Sequence, residues 1–202
     1  MLHLVLDLKG KSAVVFGAGP VGLRKANYLA QGADVTVVAR DFADGFDGRV
    51  KLRRCEIGDV IDEMVAGADL VVAATDDRGL NDRIAGAAAR RSVFCNRADG
   101  VSTFLIPSVV ERDNYKVAVS TEGRSPGMSK YLRLELDRLL PPRYDLMIRL
   151  QEELREEAKR ALPSQRDREE RLWLVLQDEQ VWNLLETDPV KARELAMARL
   201  VK

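Results

Sequence analysis

The sequence predicts an α/β protein: a doubly wound parallel sheet over residues 1–95, a small α+β segment over 96–142 and a helical region over 143–202. Three observations carry that reading. Short β-branched runs alternate with helical stretches as far as Asn96. Those runs are apolar without alternation, as in Val71-Val72-Ala73-Ala74. Beyond Arg143 only helical periodicity is found. A half-solvated strand would alternate polar and apolar residues, so continuous apolar strands mark a sheet covered on both faces.

Taken in order, the elements of the first part are the strand SAVVFG, a helix from Pro20 to Gln31, the strand ADVTVVAR and a mixed stretch without a clear period. DLVVAAT, a helix near Leu80 to Arg91 and SVFCN follow. This is the punctuation of βαβ units. In the middle part, FLIPSVVERDNYKVAVST reads as two extended segments around a polar turn at Asp113 and Asn114. Ser125-Pro126 then supplies an N-cap and first-turn pair for a helix with Met128, Leu132, Leu136 and Leu139 on one face, stopped by Pro141-Pro142. In the last part Leu146, Leu150 and Leu154 recur every fourth residue, Pro163-Ser164 breaks the pattern and Asp188-Pro189 starts a final helix. Charged stretches such as EELREEAKR carry both signs at helical spacing and read as solvated faces.

Composition excludes several classes. Lys+Arg and Asp+Glu both number 32, so the overall charge recruits neither nucleic acid nor an acidic membrane surface. No basic leader precedes a long apolar run and no stretch approaches a membrane span, which predicts a cytoplasmic chain. Cys55 and Cys95 lack metal-ligand spacing, and Cys95 ends an apolar run, so it is expected as a buried thiol. No resident metal site is predicted.

Gly17-Ala18-Gly19-Pro20-Val21-Gly22 follows one strand and opens a helix, the context that a dinucleotide-binding Rossmann fingerprint requires. Gly17 permits the tight turn, Gly19 lets a pyrophosphate approach the backbone, and Gly22 lets the helix pack on the sheet. The free N–H groups at the start of the helix that Pro20, Val21 and Gly22 open, to which Pro20 itself contributes none, and its positive dipole end favour the anion. At the end of the second strand stands Arg40-Asp41. Two readings are open: Asp41 holds the ribose hydroxyls of NAD, or Arg40 accommodates the 2′-phosphate of NADP. Thr75 and Asp76 end one strand and Asn96 another, which places them beyond the carboxyl ends of the sheet, where ligands bind. The alternative for Asp76, Asp77 and Asn96 is turn and cap duty.

Together GAGPVGLRKANYLAQGADVTVVAR, AATDDRGLN and FCNRAD...STFLIPSVVERDNYKVAVSTEGRSPGMSKYLRLELDRLLP resemble the siroheme synthase N-terminal family. Its members are precorrin-2 dehydrogenases, some of them also sirohydrochlorin ferrochelatases. The likeness covers most of residues 3–142. Arg24-Lys25-Ala26, Phe104 to Pro107 and Ser120 to Pro126 are more specific than the glycines. The resemblance implies a homodimer whose contact lies in 96–142, NAD as the hydride acceptor, precorrin-2 as substrate and sirohydrochlorin as product, with ferrous iron as a further substrate in the chelating members. It implies Asp99, shortly after Asn96, as the general acid/base. The linker Asp99-Gly100-Val101-Ser102-Thr103 is shorter than is usual in the family.

Oxidation of this substrate removes a hydride and a proton, so one carboxylate suffices as base. The only histidine, His3, precedes the first strand. A polycarboxylate substrate calls for local cations and donors, and Arg124 and Ser125, inside STEGRSPG, are the leading binders. Arg112, Lys116, Lys130 and Arg133 are further basic residues of that segment. Two other readings compete: a non-enzymatic Rossmann NAD(P) sensor, which needs no base at Asp99, and a dehydrogenase of another small substrate.

Overall fold

A computed structural model describes residues 1–201, with side chains to residue 200. The chain divides into two units, Met1–Ile106 and the part that begins at Pro107. In the first, β1(Ser12–Phe16), α1(Pro20–Leu29), β2(Asp34–Ala39), β3(Lys51–Arg54), α2(Ile57–Ala66), β4(Leu70–Ala73), α3(Arg78–Arg90) and β5(Phe94–Arg97) follow one another. All five strands are parallel, in the order β3-β2-β1-β4-β5. The chain reverses its direction of travel across the sheet between β1 and β4. The crevice beyond the carboxyl ends of these two strands is therefore the switch point where an open α/β sheet binds ligands.

The absence of alternation has the expected cause. Val14, Phe16, Val38, Val71 and Ala73 pack on one face against Ile57, Ile61 and Val65 of α2 and Ile84, Ala87 and Ala88 of α3. Their neighbours Ala13, Val15, Val35, Val37, Leu70 and Val72 pack on the other face against Ala26 and Leu29 of α1. Successive residues bury against different helices, so every position must be apolar. The mixed stretch resolves into β3 and α2. β3 is the edge strand KLRR, mostly exposed, which accounts for its weak signal. The linker after β5 belongs to the first unit: Phe104 and Ile106 pack on the α1 face, and Thr103 exchanges bonds with Cys95 across the turn.

In the second unit β6(Ser108–Glu111) and β7(Lys116–Val119) form an antiparallel hairpin, and α4(Pro126–Leu139) packs on it. α5(Arg143–Ala161), α6(Gln165–Gln177), α7(Glu179–Thr187) and α8(Pro189–Val201) make a bundle around Met147, Leu150, Leu154, Val175, Val181 and Ala196. Asp178 divides α6 from α7, capping Gln180 N at 2.9 Å and pairing with Arg199 at 2.9 Å. The apolar face expected on α4 is present but bare within the chain. Met128 is 46% exposed and Leu139 69%, and only Ser129 of the helix is buried. No helix among the described residues is long and apolar enough to cross a membrane.

Candidate dinucleotide and active site

The glycine loop has the geometry its spacing calls for. Gly17 sits at φ +100°, and a Cβ there would lie 2.4 Å from Ala74 O. At Gly22 it would lie 2.0 Å from Gly17 O, so α1 approaches the loop more closely than any side chain allows. Gly19, by contrast, faces open space and is the N-cap of α1 without any side-chain cap. Pro20 has no N–H to satisfy, and the first-turn donors around Val21 and Gly22 are left for an external acceptor. Val21 stands 40% exposed beside them. An uncapped helix start with an unobstructed backbone at a sheet's switch point fits a dinucleotide pyrophosphate.

At the ends of β2 and β3 the two residues that left the cofactor phosphate open are engaged with each other's surroundings. Asp41, 91% exposed, pairs with Arg54 at 2.8 Å. Arg54 also donates to Arg40 O at 2.5 Å and lies 5.4 Å from the Phe42 ring centroid. Arg40 reaches Glu56 at 3.7 Å. Arg54 was not singled out by sequence, because it belongs to the edge strand that the periodicity missed.

Beyond β4, Thr75 is locked to the buried Asn81. Its N and Oγ1 donate to Asn81 Oδ1 at 3.2 and 2.8 Å, and Asn81 Nδ2 returns a bond to Thr75 O at 3.0 Å. Asp77 caps α3 by accepting from Leu80 N at 3.1 Å, and Asp76 is exposed. Asn96, 3% exposed, has both ends of its amide engaged. Its Oδ1 accepts from Lys25 Nζ at 2.5 Å and its Nδ2 donates to Phe104 O at 2.8 Å. Burial, and then the charge of Arg24, lower the pKa of the Lys25 amine, with Cys95 acting in the opposite sense. Asn96 therefore joins α1 to the linker that carries Asp99.

Asp99 sits in the turn that follows β5. Its Oδ1 accepts from Arg97 Nε at 3.2 Å and Nη2 at 3.1 Å, while Arg97 Nη1 donates to Asp82 Oδ1 at 2.6 Å. Desolvation pushes the Asp99 carboxyl up, but hydrogen bonds with Asn81 and Arg97 and the Arg97 charge outweigh it, and the net shift is downward. At neutral pH Asp99 is a carboxylate, able to receive a proton. Arg97, Asn81 and Lys25 were not predicted as site residues. For Asn81 a signal existed: it lies one turn before Ile84, on the inward face of α3, where a polar residue needs a partner.

In the second unit Ser125 caps α4, accepting from Met128 N at 3.2 Å, and its own N donates to Thr121 Oγ1 at 3.1 Å. Thr121 Oγ1 also meets Ser129 Oγ at 3.0 Å. The turn before it uses left-handed backbone at Glu122 and Gly123. The side chain of Arg124 is 84% exposed, with Glu122 at 3.8 Å. Of the other basic residues, Arg112 pairs with Asp137 at 2.9 Å and Lys116 with Glu111. Among the described residues no three His, Cys, Asp or Glu side chains converge as a metal-binding group.

Comparison with known proteins identifies the family of the chain. A family model described as putative NAD(P)-binding matches residues 4–108. A precorrin-2 dehydrogenase of Methanosarcina barkeri is 38% identical over 206 residues, which cover 98% of this chain and 92% of that protein. Siroheme synthases of Photorhabdus laumondii and Methylococcus capsulatus are each 34% identical over 83% of this chain, which spans only 37% and 36% of their lengths. A solved structure of SirC, a precorrin-2 dehydrogenase, has the same fold, with a TM-score of 0.76 at 24% identity over 99% of this chain and 98% of its own. A family model over half the chain and a relative this similar over nearly all of it decide the matter: the chain belongs to the siroheme synthase N-terminal family.

Proposed function

We propose that this protein oxidises precorrin-2 to sirohydrochlorin with NAD, a step of siroheme biosynthesis. The observation that carries the reading is the extent of the likeness to a precorrin-2 dehydrogenase, which runs through both units rather than the nucleotide-binding part alone. NAD, when bound, supplies the hydride acceptor. The chain's contribution is to hold it and to take the proton. The loop Gly17, Gly19, Pro20, Val21 and Gly22 holds the pyrophosphate, Arg40 and Asp41 lie at the ribose end, and Thr75, Asp76 and Asn96 border the crevice. Asp99, ionised before reaction, receives the proton lost by the macrocycle on a carboxylate oxygen. Arg124 and Ser125 bind substrate carboxylates; Ser125 acts through the α4 N-terminus that it caps.

Residues 1–95 then form the cofactor part, 96–142 the catalytic and dimer-forming part, and 143–202 a helical region, in a cytoplasmic homodimer. The test is an anaerobic assay with fresh precorrin-2 and NAD, following NADH and the sirohydrochlorin spectrum, then repeated with ferrous iron. NADH and sirohydrochlorin are expected together, and Asp99→Ala should abolish turnover while nucleotide binding persists. Nucleotide binding with neither product favours a Rossmann sensor instead. Iron-dependent conversion above the uncatalysed rate would identify ferrochelatase activity.

A further inference from the structure

The turn that carries Asp99 is wrapped around one side chain. Arg97 closes β5, and only 12% of its side chain is exposed. Its backbone N donates to Ser102 Oγ at 2.8 Å, which fixes the far end of the turn. Gly100 leaves room for the guanidinium: a Cβ there would lie 2.9 Å from both Arg97 Cζ and Nε. One fork of the guanidinium reaches Asp99 and the other reaches Asp82 on α3. A guanidinium divided between two carboxylates neutralises neither completely, and its rigid plane orients both.

We propose that Arg97 is a positioning residue for Asp99, and that by sharing its charge with Asp82 it sets both the direction and the basicity of that carboxylate. The inference rests on the reading of Asp99 as the proton acceptor. The charged groups facing Asp99 are Arg97 from β5 and, through it, Asp82 from α3; Asn81 of α3 is a neutral partner. Arg97 favours the anion, so its removal raises the protonation midpoint of Asp99. Asp82 draws Arg97 away, so neutralising Asp82 lowers that midpoint. The balance leaves a carboxylate that is ionised at neutral pH yet not held by a full, undivided ion pair.

Two measurements on the full chain test this: the carboxyl ¹³C titration of Asp99, assigned by comparison with Asp99→Asn, and the pH profile of kcat in the anaerobic assay. Arg97→Met should move the midpoint and the acid limb of kcat upward together. At neutral pH it should lower kcat by about 10- to 100-fold, the scale of a misplaced catalytic group, with the KM for NAD unchanged. Asp82→Asn should move both downward, and Arg97→Lys should restore part of the loss. Gly100→Ala keeps the charge and displaces only the guanidinium, so it should repeat the Arg97→Met shifts and tests the idea even where Arg97→Met does not fold. An Asp99 midpoint that is the same in wild type, Gly100→Ala and Asp82→Asn overturns the role of Arg97 and leaves Asp99 as base. A midpoint that moves while the acid limb stays in place overturns the proposal through its premise, because Asp99 is then not the base.

Discussion

Lys25 shows how far apart in sequence the groups that hold the candidate site together lie. Its amine is the donor to Asn96 Oδ1, and Asn96 in turn donates to the Phe104 carbonyl in the linker. Lys25→Met would leave the buried Asn96 oxygen without that donor, at a cost of about 1–3 kcal/mol. Part of this is offset at neutral pH, because the variant also escapes the burial of a charge. The sign with pH follows. The folded pKa of Lys25 lies below its ordinary 10.5, so between the two the unfolded chain binds more protons and stability rises with pH. That contribution is complete above 10.5 and is lost as pH falls through the lowered folded value. Urea unfolding of wild type and Lys25→Met at pH about 7 and pH about 10 should give a stability gap that widens at the higher pH; a gap that narrows or stays constant refutes the assignment. None of this was legible in sequence. Arg24-Lys25-Ala26 was recognisable as a family feature, yet nothing in a single sequence says that Lys25 meets a residue 71 positions away.

At the scale of the element, α1 and β1 are joined by contact too close for a side chain. Gly22→Ala must push α1 off the Gly17 carbonyl, which lies 2.0 Å from where the new Cβ would stand. Overpacking of this kind costs about 1–3 kcal/mol, and a displaced helix start moves the donors proposed to meet the pyrophosphate. Isothermal titration with NAD should therefore show at least a tenfold loss of affinity in a variant whose circular dichroism spectrum is unchanged. Wild-type affinity would mean that Gly22 has no part in placing the loop. The elements that sequence made legible share one property, a burial pattern dictated by the element itself. β1, β2 and β4 are buried on both faces, and the Ser125-Pro126 pair marks the start of α4. β3 was missed because an exposed edge strand such as KLRR can be charged throughout, and its place is set by pairing with β2. The break between α6 and α7 was missed for a related reason: it rests on the Asp178 cap and its partner Arg199, not on a proline or glycine. In the candidate site, the glycine loop was readable because its chemistry is local. The clamp of Asp82, Arg97 and Asp99 joins α3 to β5, and only the Asp99 position was marked by the family likeness.

For the whole molecule, the bare face of α4 has the largest consequence. Met128, Tyr131, Leu132 and Leu139 recur at helical spacing and are 46%, 57%, 39% and 69% exposed. A contiguous apolar face of this kind on a folded chain marks a contact surface. The family resemblance implies that a second copy covers it, and a two-fold dimer would set the same helix of each protomer at the contact. Sedimentation equilibrium should then give about twice 22.5 kDa. Tyr131→Asp combined with Leu132→Glu places like charges on both sides of such a contact and should give a monomer. Because the glycine loop lies in the other unit, that monomer should bind NAD with wild-type affinity. Its turnover should fall, since the segment implied to form the dimer also carries Arg124 and Ser125, the proposed substrate binders. A wild-type mass of 22.5 kDa with full turnover would remove the dimer from the proposed function while leaving the dehydrogenase reading intact.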